Sequence, residues 1–295
     1  MSTSKRMIQG PAGRLAVTTT GEGGLPVLFV HGNSGNRTQW AAQQAHLAQR
    51  SVSFDLRGMG ESDPDPAGRY GFRDFTEDVS AVADALGLDR FVLVGHSFGC
   101  TVVGEYAARH PGRVAGLVLG DPGGSLRDLP PEALDTLRES FQPEKYEEAR
   151  LVWFEPMLLG AKPGTREAVL DSLRATPREV VATATWSLLD YEPEEQLSRY
   201  PGPCLAISAE TTLVQLGTKA LHLRVPGMRV EVLPAVSHWL MMDAPETFNA
   251  LLDAFLAEVE AQVDLEDSLP PGPTDASGRL DSKSHGRGHP TRAYG

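Results

Sequence analysis

Six short runs rich in apolar and β-branched residues punctuate this chain. They are LPVLFV at 25–30, SVSFD at 51–55, FVLVG at 91–95, VAGLVLG at 114–120, PCLAIS at 203–208 and MRVEVLP at 228–234. A strand with one wet face alternates apolar and polar residues, whereas a strand covered on both faces does not. The runs therefore predict a parallel sheet enclosed by helices. Helical patterns fill the intervals at 38–48, 72–86, 99–109 and 245–261, and in the last Phe248, Leu251, Leu252 and Phe255 recur at helical spacing. Strand and helix in alternation predict an α/β fold with a doubly wound, mostly parallel sheet.

The alternation stops once. From 126 to 200 no strand pattern occurs, and PEALDTLRESF places Leu134, Leu137 and Phe141 on one helical face. TREAVLDSLRA and PREVVATATWSLL continue the helical character. The expected organisation is a core of residues 1–125 and 201–263, with a helical cap of residues 126–200 inserted after the strand at 114–120. The densest apolar piece of that insertion, LVWFEPMLLG at 151–160, either lines a pocket or glues the insertion to the core. Trp153, Phe154, Met157 and Trp186 are the pocket candidates. Beyond Val263 the chain is rich in Pro, Gly and Ser, which predicts a disordered tail over 264–295. His285 and His289 read there as solvated residues, not as a metal-binding tract.

Charge and composition narrow the function classes. The formal net charge is −12, with 15 acidic and 9 basic residues in the insertion, and no basic stripe exists to hold nucleic acid. Two cysteines, Cys100 and Cys204, are too few for a disulfide scaffold and suit a reducing cytoplasm. No stretch of about 18 apolar residues is present to span a membrane, and MSTSKRMIQGPAG, without a long apolar stretch, predicts no secretion signal. The expectation is a soluble cytoplasmic protein acting on a small molecule. Its oligomeric state is open.

The chemistry-bearing stretch is GHSFG, residues 95–99. It follows a buried-strand pattern and precedes a helical one, the context in which G-x-S-x-G builds a nucleophile elbow. Gly95 and Gly99 remove side chains where strand folds back into helix. The turn lifts the Ser97 hydroxyl clear and aims the Phe98 amide at any oxygen developing charge beside it. A serine nucleophile needs a base. Among eight histidines, His31 and His96 sit in motif loops, while His46, His110 and His222 lie in or beside helices. His238 stands between the last strand and the final helix.

On GHSFG, HGNSGN at 31–36 and FDLRGMGESD at 54–63, the chain resembles the α/β-hydrolase family from about residue 14 to 261. The resemblance implies a serine hydrolase with a helical cap and assigns Asn33 as the second backbone donor of an oxyanion hole. It also implies the chain order nucleophile, acid, histidine, which makes His238 the base. The family's usual aspartate position, after PCLAIS, holds Thr211 or Thr212 here. Two candidates for the acid remain. Asp121 ends the strand before the insertion, where some family members keep their acid, and Glu210 lies one or two residues from the usual place.

The expected reaction is cleavage of a small or medium carboxylic ester or lactone through an acyl-enzyme on Ser97. No metal or organic cofactor is implied. The same nucleophile also suits carbon–carbon bond hydrolysis, amide hydrolysis, acyl transfer or perhydrolysis. HGN with Trp40 is similar to haloalkane dehalogenases too, but those enzymes use an aspartate nucleophile. Alkylating serine would give an inert ether. A small-molecule receptor that keeps the pocket without turnover is the non-enzymatic alternative.

Overall fold

The computed structural model describes residues 3–268. The six expected strands form β3 (Val27–Val30), β4 (Ser51–Phe54), β5 (Phe91–His96), β6 (Val114–Gly120), β7 (Cys204–Ala209) and β8 (Arg229–Leu233), all paired in parallel. A hairpin that the sequence pattern did not announce, β1 (Thr3–Gln9) and β2 (Arg14–Thr20), adds to β4 in antiparallel fashion. The sheet order is β1-β2-β4-β3-β5-β6-β7-β8.

Continuous apolar runs were needed because each strand feeds two cores. Val27 and Phe29 of β3 and Val92 and Val94 of β5 pack with Phe248, Leu252 and Phe255 of α12 (Pro245–Ser268). Their neighbours Leu28, Val30, Phe91 and Leu93 face the other way. These pack on Phe75 and Val79 of α2 (Phe72–Ala85) and Val102 and Tyr106 of α3 (Phe98–Arg109). Each such side chain contributes roughly 1.5–3 kcal/mol by leaving water. α1 (Ala41–His46) is shorter than its predicted span of 38–48, because Arg37–Trp40 forms a 3-10 turn first.

Between β6 and β7 the chain forms helices alone. α4 (Pro131–Ser140), α5 (Pro143–Phe154), α6 (Pro163–Ala175) and α8 (Pro193–Ser198) each begin on proline, whose fixed φ suits the first helical position. α7 (Arg178–Ser187) follows Pro177 directly. α9 (Glu210–Leu216), α10 (Leu221–Arg224) and α11 (Leu240–Asp243) complete the elements.

α12 runs through Ser268, past the expected core boundary at Val263. The remainder of the predicted tail, with His285 and His289, lies outside the described residues. Among the described residues, no helix is long and apolar enough to cross a membrane.

The strand order reverses at β3, which has β4 on one side and β5 on the other. In open α/β sheets, ligands bind beyond the carboxyl ends of strands at such a switch point. The chain puts its strain there as well. Ser34, Ser97, Asp121 and Ala235 are the non-glycine residues with positive φ among the described residues, and each follows the end of β3, β5, β6 or β8 within four residues. Strained backbone of this kind clusters at functional sites.

Candidate active site

Ser97 occupies the turn between β5 and α3 with φ 52° and ψ −120°. The flanking glycines are sterically required. A Cβ on Gly95 would lie 2.6 Å from the Gly99 carbonyl oxygen, and one on Gly99 would lie 2.6 Å from that of His31. Ser97 N–H donates to Gly120 O at 2.9 Å, tying the turn to β6.

The loop after β3 packs against this elbow. A Cβ on Gly32 would meet Ser97 Cβ at 3.1 Å. His31 is fully buried and accepts Leu56 N–H at Nε2 (3.0 Å). Asp55 accepts Arg37 N–H at 2.6 Å and Glu61 N–H at 2.8 Å, and its carboxylate pairs with the buried Arg37 guanidinium. The FDLRGMGESD stretch thus holds the HGN loop in place. Burial holds the His31 imidazole below its usual pKa, against the opposing pull of Asp55. His31 is neutral and structural.

Two amide hydrogens point to what the elbow offers. The Phe98 N–H heads α3, where the first amides lack partners within the helix. Among the described residues, neither it nor the Asn33 N–H has a protein acceptor. The Asn33 side chain is turned elsewhere: Nδ2 donates to Val181 O at 3.2 Å and to Thr185 Oγ1 at 3.1 Å on α7.

His238 and Asp121 meet. His238 Nδ1 lies 2.6 Å from Asp121 Oδ2, with the imidazole 8 % exposed and the carboxylate fully buried. Asp121 also accepts Ala209 N–H at Oδ1 (2.9 Å) and the Thr212 hydroxyl at Oδ2 (2.7 Å). A buried carboxylate left without donors would be costly, and these three hold it as an oriented acceptor. With Nδ1 engaged, His238 has Nε2 left for chemistry. The His238 loop is stapled from both sides: its N–H donates to Met157 O at 3.0 Å, and Asp243 accepts from Ser237 N–H at 3.0 Å and Lys162 N–H at 2.9 Å. His96 Nε2 hydrogen-bonds His238 O at 2.8 Å. Burial first, and the His238 imidazole second, push His96 well below the usual histidine range.

Ser97, His238, Asn33 and Phe98 line one cavity of about 120 Å³, together with Gly32, Thr101, Leu126, Trp153, Phe154, Met157, Leu188 and Trp239. The Ser97 hydroxyl makes no hydrogen bond to His238 here. Such contacts are often long without substrate and tighten when it binds.

With this geometry, similarity to known proteins becomes informative. Residues 26–155 match the family model for the alpha/beta hydrolase fold. A haloalkane dehalogenase of Sphingobium indicum is 30% identical over 288 residues, spanning 85% of this chain and 95% of the relative. The chain belongs to the α/β-hydrolase family. The hydrolase superposes on a thermophilic esterase from Thermogutta terrifontis with a TM-score of 0.72 at 26% identity, over 87% of this chain and 99% of that one. It also matches an N-acyl homoserine lactone degrading enzyme with a TM-score of 0.72 at 27% identity, over 85% and 100% of the two chains.

Two residues singled out from the sequence stand apart from the hydrolase's site. Glu210 is exposed at the start of α9, and His238 pairs with Asp121 instead. Trp186 does not line the cavity. Val181 and Thr185 on α7 are a helical turn apart and meet Asn33, while Trp186, one residue on, swings away. It packs on Phe141, with the Arg138 guanidinium over its ring. Trp153, Phe154 and Met157 do line the cavity. No local pattern marks Thr212 as a partner of Asp121, or Thr101, Thr185 and Leu188 as cavity walls. Thr212 alone carried a signal, as one of the two residues, with Thr211, where an aspartate was expected.

Proposed function

We propose that this hydrolase cleaves small or medium carboxylic esters or lactones through an acyl-enzyme on Ser97. The observation that carries the proposal is the His238–Asp121 contact of 2.6 Å opening onto the same cavity as Ser97. Asp121 fixes the imidazole with its proton on Nδ1 and stabilises the imidazolium that forms. His238 Nε2 takes the hydroxyl proton as Ser97 Oγ bonds the carbonyl carbon. The Phe98 and Asn33 amides receive the oxyanion, and one such donor is worth about 10²–10³ in turnover. Collapse breaks the bond to the alcohol oxygen, which His238 protonates as it leaves. Water, deprotonated by His238, then attacks the acyl carbon and frees Ser97.

The cavity volume supports a modest group at the reacting end. It is close to the roughly 150 Å³ that houses a benzene ring in an engineered protein cavity. The helices of residues 126–200 act in this proposal as a cap that excludes water, Asn33 being held to α7 by two hydrogen bonds. The similarity to an esterase and to a lactone-degrading enzyme supports the ester or lactone class. The dehalogenase relative's reaction does not carry over. Displacement of halide by Ser97 Oγ would leave an alkyl ether with no carbonyl for water to attack.

Hydrolysis of p-nitrophenyl acetate and butyrate, and of γ- and δ-lactones, tests the proposal. Wild type is expected to turn over, with Ser97→Ala and His238→Ala reduced at least a thousandfold while remaining folded by circular dichroism. Equal inertness of all three proteins would favour a receptor instead.

A further inference from the structure

The catalytic cavity shares a wall with a second space. Gly124, Leu126, Trp153 and Leu188 line it on one side and line a second, larger cavity of about 950 Å³ on the other. That second space lies between α4 and α5, walled by Leu129, Ala133, Leu137, Ala149 and Val152. Its apolar surface lacks cover: among the described residues α4 has no buried side chain, Val152 is 67% exposed and Trp153 36%.

We infer that this groove holds the unbranched alkyl chain of the substrate, whose scissile carbonyl sits at Ser97. This inference rests on the proposed acyl-enzyme chemistry and extends it to substrate class: an ester or lactone compact at the carbonyl and carrying a medium or long alkyl tail. The polarity of the walls decides the occupant. The Thr136 hydroxyl donates to Glu132 O at 2.9 Å and the Ser140 hydroxyl to Leu137 O at 2.7 Å, so both are spent within α4. α5 adds the charged side chains Glu144, Lys145 and Glu148 to the lining, with Lys145 paired to Glu139, and most of the remaining lining is apolar. A peptide or sugar would find few partners for its polar groups in such a groove, whereas methylenes need none. The four shared wall residues set the groove directly beside the reacting centre. The inferred tail passes Trp153, which is 36% exposed, to occupy both spaces at once.

A chain-length series distinguishes this inference from the chemistry beneath it. For p-nitrophenyl esters from acetate to decanoate, wild-type kcat/KM is expected to rise beyond butyrate by up to about fourfold per methylene, mainly through KM. Ala133→Glu and Val152→Glu, charges placed on groove walls at partly or fully exposed positions, are expected to cut the decanoate-to-acetate ratio of kcat/KM at least tenfold. Retention of the wild-type ratio in both variants would overturn the inference. A hydrolysis-free arm uses calorimetry of 1-octanol and ethanol with Ser97→Ala. Octanol is expected to bind with a negative heat-capacity change that Val152→Glu removes, and ethanol not to bind. Octanol binding without turnover of any ester would keep the groove and sink the acyl-enzyme. Acetate turnover without octanol binding would do the reverse.

Discussion

Asp121 Oδ2 sits 2.6 Å from His238 Nδ1, across 117 residues of sequence. The contact joins the end of β6 to the loop after β8, the two strands that flank β7 in the sheet. In the family, the acid most often stands after the strand corresponding to β7. Here that position faces Asp121 with a hydroxyl, Thr212 Oγ1, at 2.7 Å. In the proposed reading Asp121 supplies the negative charge from one strand over, and Thr212 anchors it.

If Asp121 is the acid, Asp121→Asn lowers kcat by about 10⁴-fold, because the amide favours the wrong imidazole tautomer. Glu210→Gln, on an exposed side chain, leaves kcat within about twofold. Steady-state kinetics on both variants decides, and the opposite ranking would hand the acid role to Glu210.

Thr212 is expected to act through Asp121. Thr212→Val removes a hydrogen bond to a buried carboxylate, worth about 1.5–3 kcal/mol, and is expected to lower kcat/KM by roughly tenfold or more. A double variant reads the geometry more sharply. Asp121→Asn with Thr212→Asp returns a carboxylate to the family's usual place, and is expected to recover at least tenfold over Asp121→Asn alone. No recovery would show that residue 212 cannot reach His238.

Much of this arrangement was legible in the sequence, and the exceptions share a cause. β3 to β7 announced themselves because each is buried over nearly its whole length, whereas β8, an edge strand with Arg229 and Val232 exposed, announced itself by its β-branched residues. β1 did not, since Ile8 alone is buried in it and no period can emerge from one residue. Ser97, His238 and Asp121 follow strand ends, where motif and chain order point to Ser97 and His238 but leave Asp121 beside Glu210. The Thr212–Asp121 bond depends on how α9 lies against β6, a packing relationship across 91 residues that no local pattern encodes. Trp186 was misplaced for the converse reason: its helix was evident, but which face of α7 met Asn33 was not.

Acid should destabilise the fold through its buried imidazoles. Burial lowers His31 and His96 below the ordinary histidine value of about 6.5. Below that pH the unfolded chain takes up protons that the folded one refuses, so stability falls as pH falls. Each group contributes up to about 1.4 kcal/mol per pH unit until its folded pKa is reached. Thermal unfolding between pH 7.5 and 5 is expected to show Tm declining below about 6.5. His31→Gln removes one of the two groups and is expected to flatten the decline, while costing stability at pH 7.5. An unchanged slope would remove His31 from the account.

The most direct measurement is covalent capture of the nucleophile. A fluorophosphonate ester reacts with a serine whose neighbouring base removes its proton, and the adduct mimics the tetrahedral intermediate. Intact-mass spectrometry of the treated protein is expected to show one adduct per chain, mapped by proteolysis to Ser97, absent in Ser97→Ala and formed at least a hundredfold more slowly in His238→Ala. A native protein that takes no adduct, or takes it elsewhere with Ser97 unmodified, would contradict the account.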